Sequence, residues 1–140
     1  MIDRVCAEIR VRIGDESDIV VARRRARELG SQQGFSETAI VALATAVTEI
    51  ARNIVVHAGT GDLTFTTATD ARGRGVIVTA LDAGPGIVHV EQAMRDGYST
   101  SSGLGCGLPG ARRLVDEFEI DSTVGVGTRV TLRKWTSADP

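Results

Sequence analysis

The sequence predicts an α/β (α+β) domain of two layers, a mixed sheet of about five strands with helices packed on one face. Three observations lead there. The stretch Ser36 to Gly59 repeats apolar residues at helical spacing and so needs a flat partner for one long stripe. Segments on both sides of it alternate apolar and polar residues as strands do. The repeated strand-then-helix order of a doubly wound fold is absent.

The first strand is expected from Arg4 to Ile13, where Val5, Ala7, Ile9, Val11 and Ile13 fall on one side and mostly charged residues on the other, as near a sheet edge. Gly14 to Ser17 turns into a helix from about Asp18 to about Gln33, with Ile19, Val20, Ala22, Ala26 and Leu29 as its inner stripe. Its run Arg23, Arg24, Arg25 and Arg27 reads as a solvated face open to a protein partner, because the net charge is acidic.

Ser36 can cap the central helix, Glu37 suits its first turn, and Gly59 stops it. Ile40, Leu43, Val47, Ile50, Ala51 and Ile54 form its stripe. Glu49 and Asn53 share a patch one turn apart, pointing roughly the opposite way. Leu63 to Thr69 is the next strand, Asp70 to Gly75 a hairpin connection, and Val76 to Leu81 a returning strand apolar enough to be buried on both faces. It runs into Asp82-Ala83-Gly84-Pro85-Gly86-Ile87.

A short helical pattern covers His89 to Arg95. Residues 96–108 are small, polar and glycine-rich, the composition of a mobile segment. A helix from about Leu108 to Glu117 turns Leu114, Val115 and Phe118 inward. Strands Glu119 to Ser122 and Thr128 to Trp135 close the sheet, and a disordered tail is expected from Thr136.

At 140 residues the chain is expected to form a single domain, 1–140, large enough to bury a core without disulfides. Its composition, 42% hydrophobic and 24% charged with a net charge of -2, argues against a nucleic-acid binder held by bulk electrostatics. No run of about eighteen consecutive apolar residues would span a membrane, and no charged leader precedes an apolar segment. A cytoplasmic protein is the expectation, with Cys6 and Cys106 as reduced thiols outside any C-x-x-C pair. Lys134 is the only lysine, a poor candidate for catalysis.

Gly103, Gly105 and Gly107 precede a helix, where free N–H groups and close backbone approach suit a polyphosphate. Residues 105–110, GCGLPG, satisfy the spacing G-x-G-x-x-G, but they follow a polar loop and not a buried strand, so a dinucleotide fold is excluded. The loop G-x-x-x-x-G-K-[ST] is absent, since Trp135 follows Lys134.

In order, the pieces are Glu49-x-x-x-Asn53 in TEIARNIVVHAG, Asp82-x-Gly84-x-Gly86 in DAGPGI, the run DGYSTSSGLGCGLPGARRLVDEF, and GVGT with Thr128. This arrangement resembles the ATP-binding fold of gyrase, Hsp90, histidine kinases and MutL, the GHKL superfamily. Within it, the compact size resembles the anti-sigma-factor kinases of bacterial partner switching, in particular the RsbT-type stressosome switch kinases, from Ile19 to Trp135.

The resemblance implies a Mg2+-ATP-dependent serine/threonine kinase. Asn53 would coordinate Mg2+ bridging the ATP phosphates, and Glu49 would be the catalytic carboxylate. An amide oxygen suits a hard cation, and a carboxylate one turn away can accept a hydroxyl proton. Asp82 would accept the exocyclic amine of adenine with Thr128 nearby. Gly84 and Gly86 would turn under the base. Gly103, Leu104, Gly105, Cys106, Gly107 and Leu108 would form the lid over the phosphates. Transfer then rests on positioning and charge neutralisation, with no lysine required.

Around these, Arg52 reaches phosphate or a partner, or forms an exposed salt bridge. His57 reads as a capping or packing residue near the helix end. Tyr98 reads as the lid's anchor, and Ser99, Thr100, Ser101 and Ser102 either donate to phosphates or keep the lid soluble. The resemblance further implies a STAS-domain antagonist or scaffold as substrate, with a PP2C-type phosphatase or sigma factor as a second partner. Rival readings are a sequestering module with little turnover, the ATPase half of a histidine kinase, and a gyrase-like motor. Intact Glu49 and Asn53 oppose the first, the lack of a preceding helical hairpin opposes the second, and the lack of additional domains opposes the third.

Overall fold

The computed structural model describes residues 2–5, 8–94 and 107–136. The elements are β1 (Ile2–Val5), β2 (Ile9–Ile13), α1 (Glu16–Gln32), α2 (Glu37–His57), β3 (Gly61–Asp70), β4 (Gly73–Asp82), α3 (Val90–Ala93), α4 (Gly107–Arg113), β5 (Glu117–Thr123) and β6 (Gly127–Trp135). Across the sheet the order is β1-β3-β4-β6-β5, and β2 pairs with β3 on the flank that β1 also uses. The two-layer α+β architecture is as expected. The sheet is not mixed, however, because every ladder among the described residues is antiparallel. Two hairpins, β3 to β4 and β5 to β6, set the directions, and the excursion through α3 and α4 brings the second hairpin back beside β4.

The single strand expected over Arg4 to Ile13 is instead two. Val5 pairs with Ala68 and Ile9 with Phe65, so this side spends one residue more than β3 between the pairs. That mismatch interrupts the ladder as a bulge does. The strand β4 is not buried on both faces throughout: Val76, Val78 and Ala80 are buried, whereas Leu81 on the other face is 54% exposed.

Local chemistry places the helix ends. Asp15 caps α1 through a capping box with Asp18, accepting from the backbone of Ser17 at 2.9 Å and Asp18 at 3.2 Å, so the helix starts before the expected Asp18. Ser36 Oγ accepts from Ala39 N at 3.1 Å, and the N–H groups of Ala58 and Gly59 both return to Ile54 O at 2.8 Å, ending α2 where the sequence indicates. The helix α4 stops at Arg113, short of Glu117, because Glu117 and Phe118 join the β5–β6 ladder opposite Arg133 and Leu132.

All six stripe residues of α2 are buried, against Leu63, Phe65, Val78, Val130 and Leu132 of the sheet. Helices α1 and α4 both pack on α2, and Ala22, Ala26, Leu108 and Ala111 are buried. By length and composition α2 could cross a membrane, but 56% of its apolar window is buried inside this domain, as a core helix requires.

On the open sheet face, Trp135 is 2% exposed and lies under the Arg72 guanidinium, 4.1 Å from the ring centre. Arg72 also donates to Asp70 Oδ2 at 2.7 Å and to Glu117 Oε2 at 2.6 Å. Thr136, expected to begin a disordered tail, accepts from Arg74 N at 3.0 Å through its Oγ1. The hydrogen bond from Arg72 holds the Asp70 carboxyl below the usual carboxylate range. At Glu117 burial acts upward, but bonds from Arg72 and Trp135 outweigh it and the net direction is also down. A depressed carboxyl stabilises the fold above its unfolded pKa, and that contribution is lost as pH falls through the folded value. Thermal melts from about pH 7 to about pH 2.5 should therefore show a fall in Tm below the ordinary carboxylate range. The fall should be shallower in Asp70→Asn, which starts from a lower Tm at neutral pH.

Candidate functional site

One end of α2 and one end of the sheet enclose a cavity of about 280 Å3. Helix α2 contributes Glu49, Asn53 and His57, which four-residue spacing sets in one row. The strand ends contribute Asp82 and Thr128, direct partners across the β4–β6 ladder. The loop after β4 supplies Pro85, Gly86, Ile87 and Val88, α3 supplies Gln92 and Ala93 with His89 before it, and α4 begins at the cavity with Gly107, Leu108 and Pro109.

The Asp82 end is held rigidly. Its Oδ1 accepts from Gly84 N at 2.9 Å, which leaves Oδ2 for a ligand. Gly86 has φ +78 and Gly127 φ +146; a Cβ on Gly127 would collide with the carbonyl oxygen of Asp82, and one on Gly86 with the backbone of Thr123. The loop is tied to the β5–β6 hairpin by Gly125 N to Pro85 O at 2.9 Å in its turn and by Ile87 N to Ser122 Oγ at 2.7 Å on β5. Ser122 Oγ stands 2.8 Å from Thr128 Oγ1, so the Thr128 hydroxyl, 6% exposed at residue level, has a fixed partner beside the cavity.

At the other end, Glu49 Oε1 accepts from Arg52 Nη1 at 3.3 Å. A Cβ built on Gly107 would lie 4.0 Å from Glu49 Oε2, so the second oxygen faces the start of α4. The C-terminal end of α2 and the β4 loop meet at Ala58 and Gly84. His57 therefore lies toward Asp82 and Glu49 toward Gly107, about 12 Å apart along the helix.

The structure thus gathers Glu49, Asn53, Asp82, Gly86, Gly107, Leu108 and Thr128 around one cavity. Gly84 does not line it; its N–H orients Asp82 instead. Arg52 does not line it either and is paired with Glu49. Glu49 and Asn53, expected to point roughly opposite the stripe, are half-buried, because α3, α4 and the β4 loop build a wall beside them. Gly103, Leu104, Gly105 and Cys106 lie outside the described residues, as do Tyr98 and Ser99 to Ser102.

His57, expected to cap or pack near the helix end, stands exposed in the last turn of α2 and lines the cavity. The row Glu49, Asn53, His57 carried that signal, since each is four residues from the next. For His89 and Ser122 no such local signal existed. They reach the site through the β4 loop and the β5–β6 ladder.

The family pattern described as the histidine kinase-like ATPase domain matches residues 14–134. The serine/threonine-protein kinase RsbT of Bacillus subtilis is 43% identical over 125 residues, which span 89% of this chain and 94% of that protein. An anti-sigma F factor of Thermoanaerobacter sp. (strain X514) is 29% identical over 104 residues, 71% of this chain and 73% of that one. Among solved structures, the RsbU and RsbW domains of Rv1364c from Mycobacterium tuberculosis share the fold at a TM-score of 0.64 and 20% identity, over 93% of this chain and 32% of that longer one.

Proposed function

The chain belongs to the histidine kinase-like ATPase family and is a serine/threonine-protein kinase, and from that premise we propose that it passes the γ-phosphoryl group of Mg2+-ATP to a small STAS-domain partner in the cytoplasm. The observation that carries this reading is one cavity with a carboxylate-hydroxyl pair, Asp82 and Thr128, at one end and Glu49 with Asn53 at the other. Asp82 Oδ2 accepts the exocyclic amine of adenine, and Thr128 completes the recognition of the base. The β- and γ-phosphates would then lie toward Asn53, Glu49 and Gly107, where α4 begins.

Asn53 offers one amide oxygen, and among the described residues no group of three His, Cys, Asp or Glu could hold a metal alone. That donor set fits Mg2+, which keeps its waters and is held largely by substrate phosphates. When bound, the ion neutralises charge on the phosphate oxygens. Glu49 accepts the proton of the attacking serine or threonine hydroxyl. The hydroxyl oxygen bonds to the γ-phosphorus as the bond to the bridging oxygen breaks, and ADP leaves with that electron pair. A PP2C-type phosphatase or a sigma factor is the second partner this reading expects.

The test is incubation with γ-labelled ATP and Mg2+ beside STAS-domain proteins of the same genome. Acid-stable label on a partner serine or threonine supports the reading, and ATP binding without transfer to any of them favours a sequestering module. Asp82→Asn should weaken ATP binding about 10- to 100-fold by calorimetry, because it swaps an acceptor for a donor at the base. An unchanged affinity would move the base elsewhere.

A further inference from the structure

We propose that Arg52 is a positioning residue for Glu49, tethering one carboxylate oxygen so that the other faces the incoming hydroxyl; this rests on the reading of Glu49 as the proton acceptor. The two oxygens of Glu49 stand in different surroundings. Oε1 accepts from Arg52 Nη1 at 3.3 Å, while Oε2 is directed to Gly107 at the cavity's phosphate end. A carboxylate on a flexible side chain samples several rotamers, and a tether on one oxygen narrows them toward one in which the other oxygen is presented.

Two further observations separate this pair from an ordinary surface ion pair. The side chains of Arg52 and Glu49 are 29% and 17% exposed, against 41% and 49% for Arg25–Glu28 and 47% and 72% for Arg27–Glu37. Less water competes for this contact than for the others. Arg52 also lies about 100° around α2 from Asn53, on the side of Glu49 away from the metal-binding amide. From there it holds Glu49 from behind without lining the cavity, so it is placed to act through Glu49 and not on phosphate. The guanidinium does not take part in the transfer, in which the hydroxyl proton passes to Oε2.

The experiment measures single-turnover transfer from γ-labelled ATP to the STAS-domain protein that the wild-type chain labels, together with ATP affinity by calorimetry. Arg52→Gln should slow transfer about 10-fold with ATP affinity within about twofold of wild type. Arg52→Lys, which keeps a charge but not the guanidinium fork, should recover part of the loss. Added to Glu49→Gln, Arg52→Gln should cause no further loss, because it acts only through that carboxylate. Circular dichroism melts confirm that each variant folds. An equal fall in ATP affinity would make Arg52 a phosphate contact, and a further loss on the Glu49→Gln background would make it independent of Glu49; either overturns the proposal. Unchanged transfer in Arg52→Gln, with Glu49→Gln impaired, overturns the positioning role alone. A wild-type rate in Glu49→Gln overturns the reading of Glu49 itself, and Arg52 with it.

Discussion

Glu49→Gln should lower phosphoryl transfer by about 10^2- to 10^4-fold, the usual contribution of a positioned proton acceptor, while ATP binds as before. The substitution keeps the size and hydrogen-bonding reach of the side chain, so its place beside the start of α4 is preserved. What it removes is a group that can take the hydroxyl proton. Single-turnover labelling of the STAS-domain partner reads the first effect, and calorimetry with ATP reads the second. Loss of both together would show that Glu49 holds nucleotide and is not the base. Full transfer by the variant would exclude Glu49 from the chemistry.

Asn53→Ala should weaken Mg2+-dependent ATP binding about 100-fold or more, or about 2.7 kcal/mol or more. Asn53 stands in the middle of the row between Glu49 and His57 and lines the cavity with both. Its amide oxygen is a neutral donor that suits a hard cation, and Ala supplies none at that position. Titration with ATP should show the loss when Mg2+ is present and little change when it is chelated. Tight Mg2+-dependent binding by the variant would remove the metal assignment from this residue. Because Asn53 is only half-buried, the variant should fold, and a melt checks that directly.

The extent of α2 was legible because everything that defines it is local. Ser36 bonds to a backbone group three residues on, Gly59 closes the last turn, and six apolar residues recur at helical spacing. The hairpins were legible for a similar reason, since alternation and turn residues lie within a few positions of each other. Less local features were misjudged. The N-terminal strand was read as continuous because the extra residue that breaks it shows only against the register of β3. The sheet was expected to be mixed because residues 83–116 separate its two hairpins, and no short-range signal fixes the direction in which the second returns. His57 was read as capping or packing because a helix C-terminus favours imidazolium, and nothing local marks the wall that faces it.

The sequence by itself determined the helix that carries Glu49 and Asn53, the strand that ends at Asp82, and the glycines around them. These follow from periodicity and backbone preference, which act over a few residues. Only the tertiary structure decided that Asp82 pairs with Thr128, that Ser122 holds the threonine hydroxyl, and that Arg52 turns to Glu49 and away from the cavity. Those contacts depend on strand register and on how α2, α3 and α4 pack. Register and packing come from burying one shared apolar core, to which residues far apart in the chain contribute at once.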